Sequence, residues 1–329
     1  MASNSFVNLF RITTFGESHC TALCVVIDGC PAGITLSEKD LIPELKRRSP
    51  GQSAVTTARK EEDLPRILSG TFEGKTTGMP IAIIVENKNQ RPQDYSALKN
   101  AFRPGHADEV YDSKYGHRDF RGGGRSSGRE TVARVIAGVV ARKVLPDNVL
   151  ITGHAKVIGS IEAKKFDPKI IEKNPVRSAD AEAAKKMEAL ILDLKARGES
   201  VGGLIEIRVK HPPENLGDPV FGKIKARLAD AFLSIGAVAG FSYGAGFSVA
   251  GMNGHDYVSA TENFGGILGG ITTGEDLILH AAVKPPSSVG KIALEGRHDP
   301  CIVPRVIPVL EAMTAIVLAD CYLLQKANV

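Results

Sequence analysis

Gly128-Arg129-Glu130-Thr131-Val132-Ala133-Arg134-Val135-Ile136-Ala137-Gly138-Val139-Val140-Ala141-Arg142-Lys143-Val144-Leu145 sets Val132, Val135, Ile136, Val139, Val140 and Val144 at helical spacing. It predicts a helix over 128–145 that begins against the glycine-rich run Arg121-Gly122-Gly123-Gly124-Arg125-Ser126-Ser127. Upstream, residues 6–14 and 22–28 read as two strands of a hairpin around Gly16-Glu17-Ser18-His19, and residues 81–86 as a buried strand. Ser37 followed by Asp40 resembles a capping box for a helix through Arg48, which Pro43 should kink. Residues 49–60 and 87–128 show little periodicity and read as loops, the second long enough to imply a function. Downstream, strands at 150–158, 204–210 and 277–284 mix with helices at 179–197, 221–235 and 306–326. Without strict βα alternation, the pattern argues for an α+β fold rather than a doubly wound sheet.

The 329 residues show no repeat or Pro/Ser linker and are expected to form one domain, 1–329. Net charge is only +4, yet residues 99–143 hold ten Lys/Arg against five Asp/Glu, and seven of the ten are arginines. That composition suits a small phosphate or carboxylate ligand. Nucleic-acid binding is disfavoured because aromatic residues are 5% and tryptophan is absent. Uncharged apolar runs fall short of the ~20 residues of a membrane span. Five cysteines without a C-x-x-C pair, and an N-terminus without signal or transit character, point to the cytoplasm. No His, Cys or Asp group has metal-ligand spacing.

The run from Arg121 to Thr131 allows close backbone approach and places helix-start N–H groups toward an anion. It lacks the Walker and dinucleotide patterns; a serine-capped turn and an Arg-Gly RNA-binding tract are its other readings. His19 and His106 lie in polar, Gly-flanked loops where an imidazole can serve as proton donor or simply as a hydrogen-bonded surface group. A second glycine-rich stretch, 265–274, suggests backbone packed closely against something flat. Lys284-Pro285-Pro286-Ser287-Ser288 and Gly296-Arg297-His298-Asp299-Pro300 each pair a cation with hydrogen-bonding groups.

Taken in order, Gly16-Glu17-Ser18-His19, Arg103-Pro104-Gly105-His106-Ala107-Asp108, Lys114-Tyr115-Gly116, Arg121 to Glu130, Gly265 to Gly270, Lys284 to Ser288 and Gly296 to Pro300 resemble the chorismate synthase family, from Phe10 to about Leu323. The resemblance implies a β-α-β sandwich of antiparallel sheets around helices. It also implies anti-1,4-elimination of phosphate from 5-enolpyruvylshikimate-3-phosphate (EPSP), with reduced FMN (FMNH2) as a transient electron donor. NADPH, used by the chain itself or by an external flavin reductase, is the implied reductant, and a homotetramer the implied assembly. By the same resemblance His19, His106 and Asp299 are catalytic, and Arg48, Arg103, Ser127, Arg129 and Arg297 bind substrate. The flavin falls to Arg125, Ser126, Ser127, Gly236, Ala237, Gly269, Lys284, Pro285, Pro286, Ser287, Ser288 and Arg297. Departures from the family pattern are Ala54 for an arginine that Arg59 or Lys60 could stand in for, Gly236 for an asparagine, Ala239 for a lysine and Cys20 for a glycine, with the segments 251–264 and 289–295 shorter than in many members.

Overall fold

The computed structural model describes residues 4–57, 62–88, 102–290, 293–294 and 298–328. Its strands are β1 (Ser5–Phe6), β2 (Ile12–Phe15), β3 (Ala22–Ile27), β4 (Pro65–Ile67), β5 (Thr71–Phe72), β6 (Lys75–Thr76), β7 (Ile81–Glu86), β8 (Leu150–Ile158), β9 (Ile161–Glu162), β10 (Gly203–Lys210), β11 (Val238–Tyr243), β12 (Ile267–Leu268), β13 (Ile271–Thr272) and β14 (Leu277–Val283). The helices are α1 (Glu38–Arg48), α2 (Asp108–Tyr115), α3 (Thr131–Val144), α4 (Ala181–Ala196), α5 (Ile224–Leu233), α6 (Gly254–Ser259) and α7 (Val303–Ala327). Two five-stranded antiparallel sheets, ordered β1-β2-β3-β7-β4 and β11-β14-β10-β8-β9, enclose α3 and α7. Within the filling, α3 packs on β2 and β3, α7 on β8 and β10, and the two helices on each other. This is the α+β sandwich expected from the sequence.

The local chemistry explains the elements. Asp40 accepts the Ser37 N–H at 2.7 Å to cap α1, which runs continuously through Pro43, the ring removing only one intrahelical donor. In α3, Val132, Val135, Ile136 and Val140 are at most 1% exposed, and Gly138 lets α7 pack against its backbone: a Cβ there would sit 2.3 Å from the Ala312 Cβ. By length and hydropathy α7 is apolar enough to cross a membrane, but 89% of its most apolar stretch is buried inside the protein, so it is the core helix.

The strand expected over 6–14 is interrupted. Val7 turns at φ 61°, and the N–H groups of Asn8, Leu9 and Phe10 converge on one carboxylate oxygen of fully buried Asp320 at 3.0, 2.6 and 3.0 Å. Arg227 pairs with the other oxygen at 3.0 Å. Asp320→Ala should therefore orphan three amides and a guanidinium and cost roughly 3–5 kcal/mol, read as a lower midpoint in urea at unchanged slope. A midpoint equal to that of the wild type would contradict this account.

Candidate active site

The loop between β2 and β3 carries His19, and the glycine-rich loop closes over it. A Cβ on Gly122 would lie 2.2 Å from His19 Nδ1, so only glycine lets that backbone reach the ring. Ser18 Oγ stands 3.0 Å from the same nitrogen. Hydrogen bonds from Arg121, opposed by burial and helped by the positive charge of His19, hold the Asp119 carboxyl below the usual range. This places a carboxylate within electrostatic reach of the His19 imidazole.

Arg125 turns back into the chain. Its guanidinium donates to the Gly16 carbonyl at 3.0 Å and to Thr14 Oγ1 at 2.6 Å, tying the glycine-rich loop to β2. Ser127 Oγ accepts the Arg129 N–H at 3.2 Å just before α3. A Cβ on Gly236 would meet only the Ser126 carbonyl, at 4.0 Å. The neighbouring Ala237 carbonyl accepts the Lys284 N–H at 3.0 Å. Lys284 Nζ donates to Ser287 Oγ at 2.9 Å, and Ser287 Oγ in turn reaches the Gly105 carbonyl at 3.2 Å, beside His106. His106 is exposed, its Nδ1 held 2.9 Å from the Pro104 carbonyl. Gly122 thus lies against His19, the open face of Gly236 looks toward the Ser126 carbonyl, and hydrogen bonds run from Ala237 through Lys284 and Ser287 to Gly105, next to His106. Pro286 supports this rim by accepting Ser200 Oγ at 2.7 Å, and Ser288 is buried beneath it.

The arginines are internally paired. Asp63, 8% exposed, joins Arg48 Nη2 at 2.8 Å to Arg129 Nη1 at 2.5 Å. Burial alone would raise its pKa, but the Arg48 and Arg129 charges, with hydrogen bonds from Arg129 and Ser49, hold the carboxyl below the ordinary carboxylate range. Arg103 grips Asp108 at 2.8 Å through both Nε and Nη2. Asp299 accepts the Thr57 N–H at 2.9 Å and pairs with Arg305, whose Nε donates to the Arg48 carbonyl at 3.2 Å. Those bonds link Asp299 to the Arg48–Asp63–Arg129 group. Lys195 Nζ reaches the Ala54 and Thr56 carbonyls at 2.8 and 3.2 Å, so a cation from α4 borders the segment where Ala54 replaces an arginine. Arg59, Lys60, Gly296 and Arg297 lie outside the described residues.

Sequence reasoning missed Asp63, Asn87 and Arg305. Each has partners distant in sequence, and only the tertiary pairing with Arg48, Arg129 and Asp299 reveals it. Gly269 is set apart. It is exposed at the tip of the β12–β13 hairpin, whose Gly270 carbonyl accepts the Ile224 N–H at the start of α5. That is the Leu277 end of β14, whereas Lys284 and Ala237 lie beyond its Val283 end, about 20 Å along the strand. His154 and His280, read as structural, both point Nε2 at Glu206, at 3.2 and 3.3 Å.

Residues 10–323 match the family model for chorismate synthase. The chain belongs to the chorismate synthase family. It is 46% identical over 353 residues to the chorismate synthase of Christiangramia forsetii, covering 100% of this chain and 99% of that one. It is 49% identical over 341 residues to the chorismate synthase of Bdellovibrio bacteriovorus, at 100% and 99% coverage. A crystal structure of chorismate synthase superposes with a TM-score of 0.78 at 30% identity, over 97% of this chain and 93% of that one. The activity is accordingly that of a carbon–oxygen lyase of the shikimate pathway, forming chorismate from EPSP.

Proposed function

We propose that the rim running from His19 to His106 encloses one cationic pocket in which reduced FMN lies against EPSP. Support comes from three groups of contacts: Gly122 against His19, the Ala237–Lys284–Ser287–Gly105 run that ends beside His106, and Asn87, which joins the His19 loop to the Arg129–Asp63 pair. The donor set fits the cofactor. An exposed lysine with serine hydroxyls suits a phosphate monoester, and the open face at Gly236 suits a flat ring. When bound, FMNH2 supplies an electron that is lent and returned, so that no net oxidation occurs.

The chain's own groups do the remaining work. Lys284, Ser287, Ser288 and the 125–127 loop hold the FMN phosphate, Gly236 and Ala237 border the ring, and Pro285 and Pro286 stiffen the loop. Arg48, Arg103, Ser127, Arg129 and Arg297 orient the phosphate and carboxylates of EPSP, with Asp63 and Asp108 fixing three of those guanidiniums. His19 would protonate the departing phosphate, His106 would supply a proton on the flavin side, and Asp299 would assist removal of the ring proton from a position set by Arg305 and the Thr57 N–H. Gly269 stands a strand length from its own pocket, so its contact with flavin comes from a second copy in a homotetramer. Five free cysteines suit a single-unit protein of the cytoplasm, where an NADPH-dependent reductase activity, its own or another protein's, supplies FMNH2.

Anaerobic incubation with photoreduced FMN and EPSP should release phosphate and chorismate in equal amounts, while oxidised FMN gives neither. Release of neither product with reduced FMN would overturn the reading.

A further inference from the structure

We propose that Asn87 is a positioning residue that locks the His19 loop to Arg129; the inference rests on the roles just given to those two residues. Asn87 follows β7, and its N–H extends the β3–β7 ladder to the Thr21 carbonyl at 2.9 Å. Its half-buried carboxamide is engaged at both ends. Nδ2 donates to the carbonyls of Glu17 at 3.1 Å and Cys20 at 2.8 Å, the residues on either side of Ser18-His19. Oδ1 accepts from Arg129 Nε at 3.1 Å. Carbonyls only accept and a guanidinium only donates, so these partners dictate which way round the amide lies. One planar group therefore sets the spacing between the imidazole that meets the leaving phosphate and the guanidinium that holds the substrate.

The two ends of the amide can be separated by substitution. Asn87→Asp keeps an acceptor for Arg129 but loses both donors and turns a carboxylate on two carbonyls, which loosens the loop. Asn87→Ala removes both ends. In either variant Arg129 keeps Asp63 through Nη1.

Asn87→Asp is expected to lower kcat about tenfold or more with KM for EPSP within about twofold of wild type. Asn87→Ala should lower kcat similarly and also raise KM about fivefold or more. FMN affinity, measured by fluorescence titration, should stay unchanged in both, since the flavin donors lie elsewhere on the rim. A readout independent of turnover is carbethoxylation of His19 by diethyl pyrocarbonate, followed by peptide mass spectrometry. In folded Asn87→Asp the labelling rate at His19 should rise several-fold while that at His106 does not move. Wild-type kcat, or an unchanged His19 labelling rate, in a folded Asn87→Asp protein overturns the inference. Failure of the wild type to release phosphate overturns the catalytic reading instead, and the labelling result still decides the clamp.

Discussion

His19→Ala and His106→Ala should each lower turnover on the order of 10²-fold or more, with far-ultraviolet circular dichroism and Tm unchanged. His19 is held on three sides: Ser18 on Nδ1, the Gly122 backbone against the ring and Asp119 within electrostatic reach. Removing the imbedded ring leaves the phosphate to depart without its proton donor. His106 is exposed, and among the described residues its ring is held by the Pro104 carbonyl, so its loss should spare the fold while removing a proton donor from the flavin side. Stopped-flow absorbance of chorismate formation under anaerobic conditions measures both effects. A change under threefold in both variants would leave the assigned roles without support.

Asp63→Ala should have a comparable effect by a different route. It leaves Arg48, 1% exposed, and Arg129 facing each other without the carboxylate that joins them. Breaking a buried ion pair from one side costs roughly 3–5 kcal/mol, which lowers Tm by roughly 5–15 °C for a chain of this size. The same change removes the Nη1 anchor of Arg129 and leaves its Nε bond to Asn87, so KM for EPSP should rise alongside. The pH dependence follows from the direction of the shift. The Asp63 carboxyl titrates lower folded than unfolded, so its contribution is fully present above the ordinary carboxylate range and is lost as pH falls through the depressed value. Tm of the wild type should therefore fall more steeply than that of Asp63→Ala as the solution is acidified below about pH 4. Parallel Tm curves, or a Tm within a degree of wild type at pH 7, would show that the pair carries no stability.

Much of the fold was legible because its elements bury apolar side chains at regular spacing. β3, β7, β8, β10, β14, α1, α3 and α4 lie within a few residues of where periodicity put them. The same reading passed over β11, where Gly240 and Ser242 dilute the pattern and pairing with β14 makes the strand. It also read residues 87–128 as loop, although α2 lies within them, a short helix whose start is anchored by the Arg103–Asp108 pair. Of the site, the histidines, the glycine-rich run and the Lys284–Ser288 loop stood out because glycine, proline and imidazole carry chemistry in their local context.

Taken alone, the amino-acid order determined the alternation of buried elements, the density of arginine between residues 99 and 143 and the family to which its ordered motifs point. Only the folded chain decided which carboxylate neutralises which arginine, that Asn87 joins the His19 loop to Arg129, and that Gly269 sits a strand length from Lys284. Periodicity is a property of neighbours along the backbone and is written in the sequence. Ion pairs and shared hydrogen bonds between residues tens of positions apart depend on how the two sheets close around α3 and α7, and no local pattern encodes that.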